Sequence, residues 1–237
     1  ALAPRSLQHL TATRVGGAGG YRHYLKHQKR GDKTMPCAIV LGCPPYVAFM
    51  GPQKLPIDMD EFDVAGGLAG APINVVKAKT VDLLVPAEAE IVIEGFIDTE
   101  YLEPEAPFGE SHGHVNLQEF NAFMDVTAIT RRKDAILTSI ISQVTPSESS
   151  LIKLIGMEPL FLNFLRNTLG IKGIKRVSMH EPLTNIRKVI ALICERDMPT
   201  TEVWRALYGA AVLHRAAGKY VIAINDDIDP TNADALL

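Results

Sequence analysis

A change of hydrophobic period near residue 145 constrains this chain more than any other feature. Before it, apolar residues recur at every second position. Ile91, Ile93 and Ile97 alternate against Glu90 and Glu94, the pattern of a strand with one buried face. Residues 36–42 read as a short buried strand bounded by Pro and Gly. Residues 73–79, 90–98, 120–132 and 135–142 read as further strands, and 59–69 as a helix with a small-residue end. The expectation is a mostly antiparallel, barrel-like domain over 21–145, after a flexible basic arm over 1–20 whose VGGAGG run forms a hinge. Beyond residue 145 the period lengthens. Thr145-Pro146-Ser147-Glu148 reads as a capping box with Pro at the first helical position. An apolar-periodic helix follows, which Pro159 breaks or restarts. Strands are expected at 174–179, 187–193 and 220–224, with a helix over 201–217 stopped by Gly218. The segment 146–237 is therefore expected to be α/β, ending as another helix begins, and the whole chain α+β.

The 237 residues suit one or two domains at about 100–200 residues each. With 47% hydrophobic and 22% charged residues, the chain is neither a disordered tail nor a collagen-like or low-complexity repeat. No apolar run reaches the roughly 18 residues of a membrane-spanning helix. Cys37, Cys43 and Cys194 are an odd count with no CxxC, so the expected compartment is reduced and cytoplasmic. Charge is uneven. Residues 1–31 hold Arg5, Arg14, Arg22, Lys26, Lys29 and Arg30 and no acid, so the rest carries 18 basic against 27 acidic residues. The acid-free start resembles a transit peptide; a solvated basic arm is the preferred reading. An acidic body argues against a nucleic-acid groove. Gly66-Gly67-Leu68-Ala69-Gly70 is not GxGxxG after a strand, and neither GKS/T nor GxSxG occurs.

Chemistry concentrates in one loop, Glu103-Pro-Glu105-Ala-Pro107-Phe-Gly109-Glu110-Ser-His112-Gly-His114. Pro107 and Gly109 forbid a regular helix, and a bent loop can aim Glu105 and Glu110 at one point. Two carboxyls sharing a site do not both ionise cheaply, so one becomes a proton donor. The competing reading is an acidic surface loop. His112 and His114 would share a face on a strand, as metal ligands do, but no third ligand accompanies them at a recognisable spacing. Glu61 stands with Asp58, Asp60 and Asp63 at a helix start. Acids there suit the helix dipole and equally suit a hard cation; spacing alone does not choose.

Several runs together resemble the UbiD family of decarboxylases. They are Pro86-Ala-Glu-Ala-Glu-Ile-Val-Ile-Glu-Gly95, Glu105-Ala-Pro-Phe-Gly-Glu110-Ser-His-Gly113 and Asp226-Asp-Ile-Asp-Pro-Thr-Asn232. Asp60-Glu61 leading into Ala65-Gly-Gly-Leu-Ala-Gly70, followed by Val75-Val-Lys77, fits the same pattern. The resemblance spans about residues 20–237 and implies a split-barrel, flavin-reductase-like domain before the α/β one. It also implies prenylated FMN, a divalent metal (Mn²⁺ in known members), often K⁺, and reversible non-oxidative decarboxylation of aromatic or α,β-unsaturated acids. By motif, Glu110 matches the general acid, Glu105 its paired carboxylate and Glu61 the metal-ligating glutamate. Gly51–Gln53 falls where backbone carbonyls meet the monovalent cation, and Ser149 and Lys153 fall at the substrate pocket. The implied partners are a small acid substrate, a flavin prenyltransferase supplying the cofactor, and further copies of the chain.

The family's Arg, Asn and His, which belong ahead of the strand near Pro36, have no match. Tyr21-Arg22 lacks the Asn, since Gly17 stands in its place, and Ala18 or Gly19 stands where the His would fall. The expectation is an N-terminally truncated or divergent member, also short at its C-terminus. Two alternatives stay open. One is a non-catalytic remnant or subunit without cofactor; the other is a flavin-binding split-barrel protein without decarboxylase chemistry.

Overall fold

The computed structural model describes residues 19–51, 53, 59–109, 115–116, 119–140, 147–180, 189–214 and 217–236. They fall into two units, one reaching Phe108 and including Val115–Ser139, the other taking Gly109 and running from Ile140 onward.

In the first unit a helix, Gly19–Arg30, leads into strand β1, Thr34–Leu41. Gly19 and Gly20 therefore open a helix and do not belong to a hinge; the remainder of the arm lies outside the described residues. A short turn of helix, Pro45–Ala48, precedes the helix Glu61–Ala69. Asp60 caps the latter by accepting from the Phe62 N–H at 2.7 Å, and Gly70 closes it at φ 69°. That angle falls in the left-handed region, which glycine enters without steric cost. Next come β2 (Val75–Lys77), β3 (Leu84–Pro86), β4 (Ile91–Asp98), β5 (Glu103–Glu105), β6 (Phe108–Gly109), β7 (Val115–Asn116), β8 (Glu119–Asn121) and β9 (Met124–Arg131). Strands β1, β4 and β9 form an antiparallel sheet; β2–β3, β5–β8 and β6–β7 are two-stranded ribbons.

Strand β4 departs from the expected in-and-out alternation. Glu94 is only 1% exposed, because the strand packs on both faces. Ile93 and Ile97 join Tyr24, Met35 and Met124 on one side; Val92 and Phe96 join Ala78, Val81 and Val85 on the other. Burial of the Glu94 carboxylate is met by three donors to Oε2: Lys79 N–H at 2.8 Å, Thr80 N–H at 2.7 Å and the Thr80 hydroxyl at 2.9 Å. Residues 135–140, expected as strand, carry none. The Ile136 N–H donates to Glu90 Oε2 at 3.1 Å, not to a neighbouring strand, and Ile136 and Leu137 are exposed.

In the second unit the helix Glu148–Asn163 runs straight through Pro159 and passes into a π-turn, Phe164–Thr168. Proline removes a helical N–H bond, but Met157, Phe161 and Leu165 lie on the buried side of this segment, and their packing outweighs the local penalty. The cap is Ser147, not Thr145. Its hydroxyl accepts from the Ser150 N–H, and the Ser150 hydroxyl accepts from the Ser147 N–H at 2.9 Å. Thr145 and Pro146 lie outside the described residues. Strand β10 (Ile174–Met179) pairs antiparallel with β11 (Val189–Cys194), and β11 pairs parallel with β12 (Tyr220–Asn225). The crossover helix is Thr200–Leu213, four residues shorter at its end than expected, because His214 is already extended. A last turn, Ala233–Leu236, is helical. The chain is thus mixed α+β, with antiparallel pairing dominant in the first unit.

Candidate active site around Glu105

The acid loop is partly built from strand ribbons, not from an irregular bend alone. Strands β5 and β8 pair with Glu103 opposite Asn121, Pro104 opposite Phe120 and Glu105 opposite Glu119. Pro104 is tolerated because a two-stranded ribbon has edges that need no N–H. Glu105 is 7% exposed and Asn121 2% exposed. The Asn121 amide donates through Nδ2 to Glu105 Oε2, and Asn121 Oδ1 has no hydrogen-bond partner. The alternative of an acidic surface loop is therefore wrong for Glu105, which is held out of water. Asn121 was not singled out from sequence. Its signal was a polar residue opening the otherwise apolar run Ala122-Phe123-Met124, all buried.

Glu110, His112 and His114 lie outside the described residues. The segments on either side of them, β6 and β7, pair with one another. Glu61 is exposed at the first turn of its helix, on a separate element of the same unit as Glu105. The Asp60 carboxylate is engaged in capping, and Asp58 lies outside the described residues. Gln53 is half-buried, with its N–H donating to Met50 O at 3.1 Å. Ser149 and Lys153 fall within the helix Glu148–Asn163, four positions apart in the second unit.

A hard divalent cation takes about six to eight oxygens for Ca²⁺ or an octahedron for Mg²⁺. Among the described residues no group of three His, Cys, Asp or Glu is placed to hold a metal ion, so these residues alone do not complete a metal centre. The thiols offer no substitute chemistry: burial pushes Cys37, Cys43 and Cys194 above the ordinary thiol range, which disfavours the reactive thiolate. Beside Glu105, the buried Asn121 Oδ1 is an acceptor without a hydrogen-bond partner. Among the described residues no helix is long and apolar enough to cross a membrane.

Glu105 is a buried carboxyl bonded to a buried amide, in a chain of mixed α+β fold. Known proteins narrow that class. Residues 5–144, more than half the chain, match the family described as UbiD: 3-octaprenyl-4-hydroxybenzoate carboxy-lyase Rift-related domain, and the chain belongs to the UbiD family. An uncharacterized protein of Archaeoglobus fulgidus is 27% identical over 213 residues, 89% of this chain and 43% of that protein. The UbiD-class enzyme HmfF from Pelotomaculum thermopropionicum, in complex with FMN, superposes with a TM-score of 0.80 at 25% identity, over 93% of this chain and 48% of its own. An evolved dimeric form of HmfF in complex with prFMN gives 0.79 at 26% identity, over 99% and 50%. Sedimentibacter hydroxybenzoicus vanillic acid decarboxylase shares the fold, with a TM-score of 0.77 at 22% identity over 91% and 45%. The chain spans half or less of the length of these relatives.

Proposed function

We propose that this chain carries the acid–base half of a UbiD-type carboxy-lyase, which decarboxylates aromatic or α,β-unsaturated acids reversibly and without net oxidation. The observation that carries the reading is the buried Glu105, held by Asn121 on the β5–β8 ribbon, five residues before Glu110. Similarity to HmfF, solved with FMN and with prFMN, supports a flavin cofactor. When bound, prenylated FMN supplies the electron sink that no side chain offers. Glu110, by its motif, is the proton donor to the carbon that loses CO₂, and Glu105 is its paired carboxyl, kept from water by burial. Glu61 and Gln53 are assigned to the cofactor side. A divalent metal would be held by Glu61, the one metal-ligand candidate that the resemblance matches to a described residue. A split-barrel closure, the division at residue 145, a pocket role for Ser149 and Lys153, self-assembly and supply by a flavin prenyltransferase complete the proposal.

The exposed Glu61 without companion ligands among the described residues favours a second reading, a subunit or remnant that no longer binds cofactor. One experiment separates the two. The chain is co-expressed with a flavin prenyltransferase, purified, and its absorbance and turnover of aromatic and unsaturated acids recorded. The proposal expects flavin absorbance and CO₂ release, with Glu110→Gln lowering turnover about 10²-fold or more while flavin is retained. A colourless, inactive protein would establish the remnant reading.

A further inference from the structure

Asn121 is buried to 2% exposure, yet half of its amide has no partner. An amide offers two N–H donors on Nδ2 and lone pairs on Oδ1. Nδ2 is used on Glu105 Oε2; Oδ1 faces no donor. A buried acceptor without a partner works against folding, and an apolar residue of similar volume would avoid that penalty. The reverse amide orientation gives no relief, because it would set Oδ1 against a carboxyl oxygen. The ribbon itself does not require a polar residue here: Ala122, Phe123 and Met124 continue the buried run. The retained polarity is explained if Asn121 acts on both sides, towards Glu105 and towards a ligand.

We infer that Asn121 is a positioning residue for Glu105: its N–H fixes the carboxyl, and its Oδ1 accepts a hydrogen bond from an O–H or N–H donor brought by the bound ligand. This rests on the reading of Glu105 as a member of the acid–base pair. Asn121 handles no proton itself. It sets the direction in which Glu105 faces the substrate, and small misplacements of such groups cost rate steeply.

The test uses the full chain and four variants: Asn121→Leu, Asn121→Asp, Glu105→Gln, and Asn121→Asp with Glu105→Gln. Asn121→Asp sets two carboxyl groups against each other and should lower Tm. Adding Glu105→Gln returns a donor–acceptor pair in the opposite sense and should recover most of that loss. Tm effects that merely add would overturn the contact, whether or not the protein is active. Asn121→Leu removes the orphan acceptor but also the amide donor to the buried Glu105 carboxyl, so it should fold with Tm somewhat below wild type. In the flavin-loaded chain it should lose about 10–100-fold in kcat and raise KM, since the Oδ1 contact to the substrate is lost, with flavin content near wild type. Wild-type kcat in Asn121→Leu, alongside an inactive Glu110→Gln, would overturn the positioning role and leave the proposed function standing. A flavin-loaded wild type without any turnover would overturn the proposed function and the positioning role together, while the Tm cycle still decides the contact.

Discussion

At the scale of single residues, the two buried glutamates of the first unit answer the same problem differently. Glu94 meets burial with saturation. Desolvation pushes its carboxyl pKa up, but donors from Lys79, Thr80 and Val81 outweigh that, and the group is held below the ordinary glutamate value of 4.5. A carboxyl with a depressed folded-state pKa stabilises the fold fully above its unfolded value and loses that contribution as pH falls through the folded one. Tm should therefore decline as pH drops below about 4.5. Glu94→Gln should flatten that decline and cost about 1.5–3 kcal/mol near neutrality, since the Lys79 and Thr80 donors then bond a neutral amide oxygen in place of a charged carboxylate. Urea titrations of both proteins across pH 3–7 check this; an unchanged acid slope in the variant would assign the decline to other carboxyls. Glu105, by contrast, meets burial with one amide, which fits the acid–base role proposed for it. Glu105 is singled out in the sequence because Pro and Gly crowd an acid pair into one loop. Glu94 was misread as solvent-facing, because alternation alone does not reveal that a second cluster covers its side of the strand. Asn121 was not legible as part of the site, since its partner lies 16 positions away across a ribbon.

At the scale of elements, plain periodicity found the long ones. Strands β1, β4, β10 and β12 and the helix Glu61–Ala69 fall within a residue or two of their expected ends. The ribbons β5–β8 and β6–β7 were read as a bent loop, because two- and three-residue strands carry no period. Pro159 was read as a breaker because local propensity says so; tertiary burial of Phe161 and Leu165 overrides it. Strand β4 also shows why one glycine is required. Its register against β9 shifts between Glu94 and Gly95, and a Cβ at Gly95 would fall on the Asp125 carbonyl oxygen. That neighbour is backbone and has little room to yield. Gly95→Ala should therefore destabilise the sheet by about 1–3 kcal/mol, read as a lower denaturant midpoint with an unchanged m-value. A midpoint equal to wild type would mean that the bulge absorbs the methyl group.

At the scale of the whole molecule, the sequence separated a strand-rich first part from an α/β second part because the hydrophobic period changes between them. The described residues divide between Ser139 and Ile140; the expected boundary at residue 145 lies outside the described residues. Each unit encloses its own apolar clusters. Tyr24, Met35, Ile97 and Met124 belong to the first; Phe161, Leu165, Ile174, Ile190 and Leu192 belong to the second. Separate cores make the units separable in stability. Phe161 is the sharpest probe, being wholly buried at the centre of the second core and a bulky side chain on a helix that only packing carries past Pro159. Phe161→Ala removes its transfer free energy and leaves a cavity, together about 3–5 kcal/mol. If the cores are energetically distinct, native-state hydrogen exchange in this variant will show protection lost in β10, β11 and β12 and kept in β1, β4 and β9. Equal loss in both sets would show instead that the two units unfold as one cooperative body.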